Sequence, residues 1–247
     1  MLSIAGSDPS GGAGIQADLK AIAAHGHYGM SVVTALTAQN TQRLRWIQLV
    51  GPGGVRAQLR AVLEDLPVDA VKIGMLGSAE AVDAVLMELI GLEVPVVLDP
   101  VLGASTGGAL NFDPEALRRL VPLCALVTPN LPELAALPWL EEAGVPLLIK
   151  GGHGEGETLQ DRLVSSAGER TWSWPRQVTR NLHGTGCTLS TAIACGLAEG
   201  LPLVESVDRS LRWLQRLIRD SSVHRLGQGT GPLLVSTSSQ PAPDSNR

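Results

Sequence analysis

The chain has 247 residues, of which 44% are hydrophobic and 17% charged, and its formal net charge is −5. This composition indicates a globular protein, and an acidic balance without clustered Lys and Arg argues against a nucleic-acid partner. No apolar run approaches the roughly 20 residues that a membrane-spanning helix needs, and no secretory signal is visible. The three cysteines form no CxxC pattern, so we expect reduced thiols and a cytoplasmic protein.

Short apolar runs alternate with amphipathic stretches along the whole chain. The apolar runs predict nine strands, at residues 2–6, 31–37, 46–50, 69–76, 94–100, 124–130, 145–152, 158–166 and 169–175. Helices are predicted at about residues 12–25, 52–65, 81–89, 186–199 and 203–224. The run VPVVLDP is continuously apolar, which is typical of a strand with helices on both of its faces.

This alternation predicts an α/β fold with a mostly parallel sheet covered on both faces. No linker, fixed-period repeat or shift in composition marks a second domain, so we predict one domain over residues 1–235. Residues 236–247 are rich in Ser and Pro and are predicted to be disordered. Ligands of such sheets bind at the carboxyl ends of the strands. Polar residues follow five of the strands, and we expect them to converge there: Ser7 with Asp8, Gln39 with Asn40, Asp99, Asn130 and Lys150.

The segment SDPSGGAGIQADLK, residues 7–20, places three glycines before the first helix. Such a turn lets backbone N–H groups approach a ligand, but the segment matches neither a Walker motif nor GxGxxG. Taken alone, it is best interpreted as a structural turn. Asp18 lies about one turn into the helix, where base rates predict an exposed charge.

Three further segments offer polar side chains at strand ends. Asn130 and Glu133 lie three residues apart and suit Mg²⁺, although they also match a capping box at a helix start. Asp99 is a turn residue or a cation ligand. Lys150 is a phosphate contact or a solvated charge at the sheet edge.

The strongest local signal is HGTGC, residues 183–187, directly before an apolar helix. Gly184, Thr185 and Gly186 can aim several N–H groups one way, and the positive end of the helix favours an anion there. The same field is expected to lower the pKa of Cys187. These residues alone do not decide whether Cys187 is a nucleophile, a general base or a small buried side chain. We interpret Cys124 and Cys195 as small buried side chains.

Taken in order, these segments resemble the hydroxymethylpyrimidine/phosphomethylpyrimidine kinases of thiamine biosynthesis, in the ribokinase-like superfamily. The resemblance rests on AGSDPSGGAGIQADLK, TALTAQNT, KIGML, LDPV, TPNLPE, IKGGH, HGTGCTLSTAIA and GTGP, and it covers nearly the whole chain. It implies a three-layer αβα fold, ATP and Mg²⁺ as cofactors, and a homodimer. It also implies two successive phosphoryl transfers, the first to the pyrimidine alcohol and the second to the resulting monophosphate.

The resemblance assigns a role to each candidate residue. Asp18 and Gln39 would hydrogen-bond the pyrimidine, and Gly11 and Met75 would line its pocket. Asn130 and Glu133 would organise Mg²⁺ and phosphates, with Asp99 as a further metal ligand, and Lys150 would contact the transferred phosphate. The turn Gly184-Thr185-Gly186 would be the anion hole. Cys187 would be the proton acceptor, at a position that is Asp in most of the superfamily.

The sequence departs from this family in two places. Only residues 135–149 separate TPNLPE from the KGGH strand, so a helix looks shortened, and the loop 103–111 lacks a lysine that many relatives have. Three alternatives remain open. They are a pyridoxal or pyridoxine kinase of the same fold, a non-catalytic pyrimidine-binding relative, and a transferase with Cys187 as nucleophile.

Overall fold

The structure, a computed structural model, describes residues 1–103, 113–154 and 156–236, and at residue 153 the backbone alone. Its strands are β1 (Leu2–Ser7), β2 (Met30–Gln39), β3 (Leu44–Leu49), β4 (Val71–Ile73), β5 (Val96–Leu98), β6 (Leu126–Val127), β7 (Leu147–Ile149), β8 (Thr158–Ser165) and β9 (Gly168–Pro175). Its helices are α1 (Gly14–Ala24), α2 (Pro52–Leu63), α3 (Ala79–Leu89), α4 (Leu131–Ala136), α5 (Thr185–Ala198) and α6 (Leu203–Ser221).

All nine predicted strands and all five predicted helices are present. The segment between β6 and β7 holds only the short helix α4 and a 3₁₀ turn at Pro138–Glu142, which accounts for the shortened helix inferred there. Residues 104–111 of the loop without a lysine lie outside the described residues. So do residues 237–247 of the tail for which we predicted disorder.

The strands form one sheet in the order β3-β2-β1-β4-β5-β6-β7-β8-β9. The six strands from β2 to β7 in this order are parallel. At the edges, β3 pairs antiparallel with β2, β8 with β7, and β9 with β8. The prediction of a mostly parallel α/β sheet is therefore confirmed.

Helices cover both faces of the sheet. On β5, Val96 and Leu98 pack into a core with residues of α2 and α3, whereas Val97 packs into a core with residues of α5 and α6. Successive side chains of a strand point to opposite faces, so a strand buried on both sides must be apolar throughout. This is the three-layer αβα arrangement, and it explains the continuous apolar run of β5.

The connections change direction at β1. Strand β2, which forms an edge hairpin with β3, and strand β4, which follows that hairpin, lie on opposite sides of β1. A reversal of this kind leaves a crevice beyond the carboxyl ends of the strands, which is where ligands of open α/β sheets bind. None of the described helices has both the length and the apolar character that crossing a membrane would require.

Candidate active site

A cavity of about 590 Å³ opens at the carboxyl ends of the parallel strands. Its walls come from strand ends and from the turn before α5. The candidate residues among them are Gln39, Met75, Asp99, Asn130, Glu133, Lys150, Gly184, Thr185, Gly186 and Cys187. Residues that are far apart in the sequence thus meet at one sheet edge, as the strand-end argument predicted.

Asp18 lies in the protein interior and does not line this cavity. Its side chain is 0% exposed, so the expectation of an exposed helix charge is wrong. Lys72 Nζ donates to Asp18 Oδ1 and Oδ2 at 2.9 and 2.8 Å, Ser3 Oγ donates to Oδ2 at 2.6 Å, and Thr191 Oγ1 donates to Oδ1 at 2.9 Å. Both oxygens are committed to these partners, so this arrangement gives no support to Asp18 as a pyrimidine ligand.

Gly11 also lies outside the cavity wall. The turn around it is organised by Asp8, whose carboxylate accepts hydrogen bonds from Ser10 N, Ser10 Oγ and Ala13 N, each at 2.9 Å. Lys20 Nζ donates to the Gly11 carbonyl at 2.7 Å. The first glycine turn is therefore structural at Gly11, and the parts that line the cavity are Ser7 and Asp8 before it and Ala13 and Gly14 after it.

The turn before α5 is fitted closely against the first glycine turn. Gly184 is the N-cap of α5 with φ +81°, and a Cβ at this position would lie 1.7 Å from the Gly12 carbonyl oxygen. Gly184 has no side chain that accepts from the first turn of α5, so those N–H groups stay available to an anionic ligand. The structure thus places a helix N-terminus, with its positive field, at the cavity wall.

Cys187 lies in the first turn of α5, is partly buried and lines the cavity. Burial raises the pKa of its thiol to about 11, and the charges of Asp18 and Asp99 act in the same direction. Lys72 and a hydrogen bond from the Gly14 N–H act to lower the pKa, but burial outweighs them. The prediction of a lowered pKa is therefore wrong, because it counted the helix field and left out desolvation.

Lys150 forms a charged group with Asp99 and Glu133. Its Nζ lies 2.6 Å from Asp99 Oδ1 and 3.9 Å from Glu133 Oε2, and its side chain is only 13% exposed. Burial acts to lower the pKa of Lys150, but the charges of Asp99 and Glu133 outweigh it and raise the pKa. Lys150 is therefore a largely buried cation at the cavity wall. The alternative interpretation of Lys150 as a solvated charge at the sheet edge is ruled out.

The same group reaches the turn before α5. A Cβ on Gly186 would lie 3.3 Å from Lys150 Nζ and 3.4 Å from Asp99 Oδ2. The absence of a side chain at Gly186 therefore lets the buried cation approach the backbone amides of the turn. Amides and an ammonium side by side form a site with the chemistry to bind phosphate oxygens.

Asn130 and Glu133 form the capping box that the sequence suggested. Asn130 N donates to Glu133 Oε2, and Glu133 N donates to Asn130 Oδ1, both at 2.8 Å. Burial raises the pKa of Glu133 to about 7, opposed by Lys150 and reinforced by Asp99. Both side chains also line the cavity, so the structural and the ligand-binding interpretations hold for the same pair.

The described residues contain no group of three His, Cys, Asp or Glu side chains arranged to hold a metal ion. Asp8, Asp99 and Glu133 are the carboxylates of described residues that line the cavity, and Lys150 already contacts Asp99 and Glu133. Mg²⁺ commonly binds through one or two carboxylates together with substrate phosphates and water. Asp99 and Glu133 fit a metal that arrives with phosphates, and they do not form a complete metal site by themselves.

The sequence left Lys72 and His183 without a role and gave Asp8 only a position at a strand end. Lys72 is fully buried at 0% exposure, and its signal was a lysine inside the apolar run DAVKIGML. Asp8 and His183 are buried at 3% and 1%, and His183 Nε2 lies 2.8 Å from Asp8 Oδ2. His183 Nε2 also lies 3.1 Å from the Gln39 amide nitrogen.

The chain is similar in sequence to known kinases. The family model described as phosphomethylpyrimidine kinase matches residues 8–145 and 139–234. The hydroxymethylpyrimidine/phosphomethylpyrimidine kinase of Escherichia coli is 41% identical over 94% of this chain and 95% of its own length. The chain also matches a multifunctional thiamine biosynthesis protein of Corynebacterium efficiens, at 40% identity, but it spans only 34% of that protein.

Two kinds of solved structure are similar to this chain. The phosphomethylpyrimidine kinase of Clostridium difficile is 37% identical with a TM-score of 0.72, over 87% of this chain and 97% of that one. The ADP complex of Bacillus subtilis pyridoxal kinase is 30% identical with a TM-score of 0.84, over 96% and 97%. The chain is thus more similar in sequence to pyrimidine kinases, and it shares its fold with both. With the family model matching nearly its whole length, the chain belongs to the phosphomethylpyrimidine kinase family.

Proposed function

We propose that the protein is an ATP-dependent kinase acting in thiamine diphosphate biosynthesis, with residues 1–235 as its kinase domain. It phosphorylates 4-amino-5-hydroxymethyl-2-methylpyrimidine and then converts the monophosphate to the diphosphate. The observation that carries this proposal is one cavity whose wall holds the turn Gly184–Cys187 and Lys150 together with Gln39 and Met75. Family membership supports the same reaction.

The pyrimidine occupies the part of the cavity near Gln39 and Met75. Met75 packs against the backbone at Gly6, where a Cβ would lie 2.5 Å from Met75 Cε, so this wall is close-packed. Gln39 supplies an amide that can hydrogen-bond a ring nitrogen or an amino group. We leave Asp18 and Gly11 out of the substrate contacts, because both lie outside the cavity wall.

The phosphates of ATP occupy the part of the cavity near Lys150. The amides of Gly184, Thr185, Gly186 and Cys187 and the ammonium of Lys150 bind phosphate oxygens, and Asn130 lies beside them. Mg²⁺ would be held by Asp99 and Glu133 together with the phosphates, and it neutralises negative charge when bound. Phosphoryl transfer depends mainly on such positioning and charge neutralisation.

Cys187 accepts the proton of the attacking hydroxyl in this proposal. Its position in the first turn of α5, on the cavity wall, supports this role. With a pKa of about 11, the thiol is protonated at neutral pH, so only a small fraction is ready to act as a base. A base of this kind makes the rate rise with pH, and that dependence tests the assignment.

The main rival is a pyridoxal kinase, which is favoured by the TM-score of 0.84 to the Bacillus subtilis enzyme. Product analysis after incubation with ATP, Mg²⁺ and each of the two alcohols separates the candidates. We expect the pyrimidine monophosphate and then the diphosphate, with slower turnover of pyridoxal. Faster turnover of pyridoxal would exclude our choice, and ATP consumption that does not depend on either alcohol would exclude both.

We also propose that the protein is a cytoplasmic homodimer. The edge hairpin of β2 and β3 exposes two apolar side chains on one of its faces, Leu36 by 48% and Trp46 by 52%. A second copy that covers this surface would remove apolar area from water. Light scattering of the full chain and of Trp46→Lys tests this: we expect a dimer that the substitution weakens.

A further inference from the structure

His183 lies between the turn Gly184–Cys187 and the side chain of Gln39. It directly precedes Gly184 of the phosphate-binding turn, and its Nε2 lies 2.8 Å from Asp8 Oδ2 and 3.1 Å from the side-chain amide of Gln39. The ring is 1% exposed. A Cβ on Gly12 would lie 2.3 Å from His183 Cδ2, so the ring is packed tightly against the first glycine turn. Its orientation is therefore fixed by the fold.

The carboxylate of Asp8 determines that His183 carries a proton on Nε2. Burial acts to raise the pKa of Asp8, but hydrogen bonds from His183 and Ser10 outweigh it and lower the pKa. Asp8 is therefore ionised and can only accept hydrogen bonds, so His183 Nε2 must carry a proton to donate to it. This holds for both the neutral and the charged imidazole.

The proton on Nε2 in turn decides the orientation of Gln39. The amide NH₂ of Gln39 cannot donate to a nitrogen that is itself a donor, whereas the amide oxygen can accept from it as the second, weaker acceptor of a bifurcated hydrogen bond shared with Asp8. The side-chain amide of Gln39 therefore satisfies this contact only with Oε1 toward His183. Its NH₂ group then faces the cavity, which Gln39 lines.

We propose that His183, held by Asp8, is a positioning residue that turns the Gln39 amide so that its NH₂ group is presented to the substrate. The substrate must then offer an acceptor at this point, such as the ring nitrogen of an aminopyrimidine. A ligand with an N–H or O–H at the same point would place donor against donor, which disfavours binding. The choice of ligand rests on the proposed function, whereas the orientation of Gln39 does not.

The proton on Nε2 is tested directly by NMR on the full chain labelled with ¹⁵N-histidine. The chain has five histidines, and comparison with His183→Gln assigns the His183 signals. We expect long-range ¹H–¹⁵N correlations to show a protonated Nε2 without any ligand. A His183 whose Nε2 carries no proton at neutral pH would overturn the proposal, whatever the substrate is.

Binding of hydroxymethylpyrimidine without ATP, measured by calorimetry, tests the consequence. His183→Met removes the donor, and we expect the Kd to rise about tenfold, the loss of about one hydrogen bond. His183→Gln keeps an NH₂ donor near the position of Nε2, and we expect a Kd within about threefold of the wild-type value. Equal affinities for His183→Met and the wild type would contradict the proposal.

A double-mutant cycle separates this role from a general structural one. Once Gln39→Met has removed the amide, His183→Met has nothing left to orient, so we expect the double variant to bind as weakly as Gln39→Met alone. If the losses of binding free energy in the two single variants add up in the double variant, the proposal is contradicted. If the wild type fails to bind the pyrimidine at all, the proposed function fails, and the NMR measurement still tests the protonated Nε2 on which the orientation of Gln39 depends.

Discussion

Lys72 Nζ lies 2.8 Å from Asp18 Oδ2, and both side chains are fully buried. Burial acts to lower the pKa of Lys72, but the charge of Asp18 outweighs it and raises the pKa, so the lysine remains charged. Thr191, which also donates to Asp18, lies one helical turn after Cys187 on α5. A buried ion pair is therefore hydrogen-bonded to the helix that carries the proposed base.

We expect Lys72→Met to lower the free energy of unfolding by about 3–5 kcal/mol, because it leaves the Asp18 carboxylate buried without its counter-ion. Urea denaturation measures this change. Lys72→Met combined with Asp18→Asn is expected to lose less than the single variant, since no uncompensated charge remains. Arg60→Met, which breaks an exposed pair with Glu88, is the control and should change stability far less. A double variant as unstable as Lys72→Met would contradict this account.

Cys187→Ala is expected to lose most phosphorylation while pyrimidine binding is largely kept, because only the proton acceptor is removed. Steady-state rates and calorimetry measure the two effects. Intact mass of the wild type during turnover should show no adduct at Cys187, whereas a covalent intermediate would favour the cysteine-nucleophile transferase. Near wild-type turnover of Cys187→Ala would remove this thiol from the mechanism.

The pH dependence of the wild type and of Cys187→Asp tests the role of the thiol as a base. With a pKa of about 11, the thiol should give a kcat that rises about tenfold per pH unit between pH 6 and 9. An Asp carboxylate is ordinarily ionised well below neutral pH, so Cys187→Asp should keep activity and lose most of this rise. A flat profile for the wild type over the same range would show that ionised Cys187 is not required.

Gly184→Ala is expected to cost about 2–4 kcal/mol of stability and most of the activity. The residue has φ +81°, and its Cβ would meet the Gly12 carbonyl oxygen at 1.7 Å, so both backbone strain and a steric clash result. Gly200→Ala is a matched control, because Gly200 has φ +78° with nothing within 4 Å of its Cβ position. We expect Gly200→Ala to lower the free energy of unfolding by about 1 kcal/mol, measured by denaturation, and to leave turnover unchanged. Equal costs at both sites would exclude the proposed fit between the two turns.

Asp8→Asn is expected to destabilise the protein in a manner that depends on pH. The pKa of Asp8 in the folded state lies below its ordinary value of 3.8, so its ionised form stabilises the fold above that pH. This stabilisation is lost as the pH falls through the folded-state pKa. The difference in unfolding free energy between wild type and Asp8→Asn should therefore be largest near pH 7 and shrink below about pH 4. A difference that does not change with pH would argue against an ionised Asp8.

The sequence by itself determined the layout of the fold and most of the cavity wall. Apolar runs and helical periodicity located the strands and helices, since both patterns are local along the chain. The rule that parallel strands end at one edge then brought Gln39, Asp99, Asn130 and Lys150 together correctly. Local pattern also supplied both interpretations of Asn130 and Glu133, and the structure shows that the pair forms the capping box and lines the cavity.

Only the tertiary structure decided what surrounds each polar group. Asp18 meets Lys72 across 54 residues and Thr191 across 173, and His183 meets Asp8 across 175. No local pattern encodes such pairs, because burial and counter-charges come from distant segments. The same reason explains the error at Cys187: the helix field can be read from the sequence, but the burial that raises the thiol pKa is set by the packing of α5 against the rest of the fold.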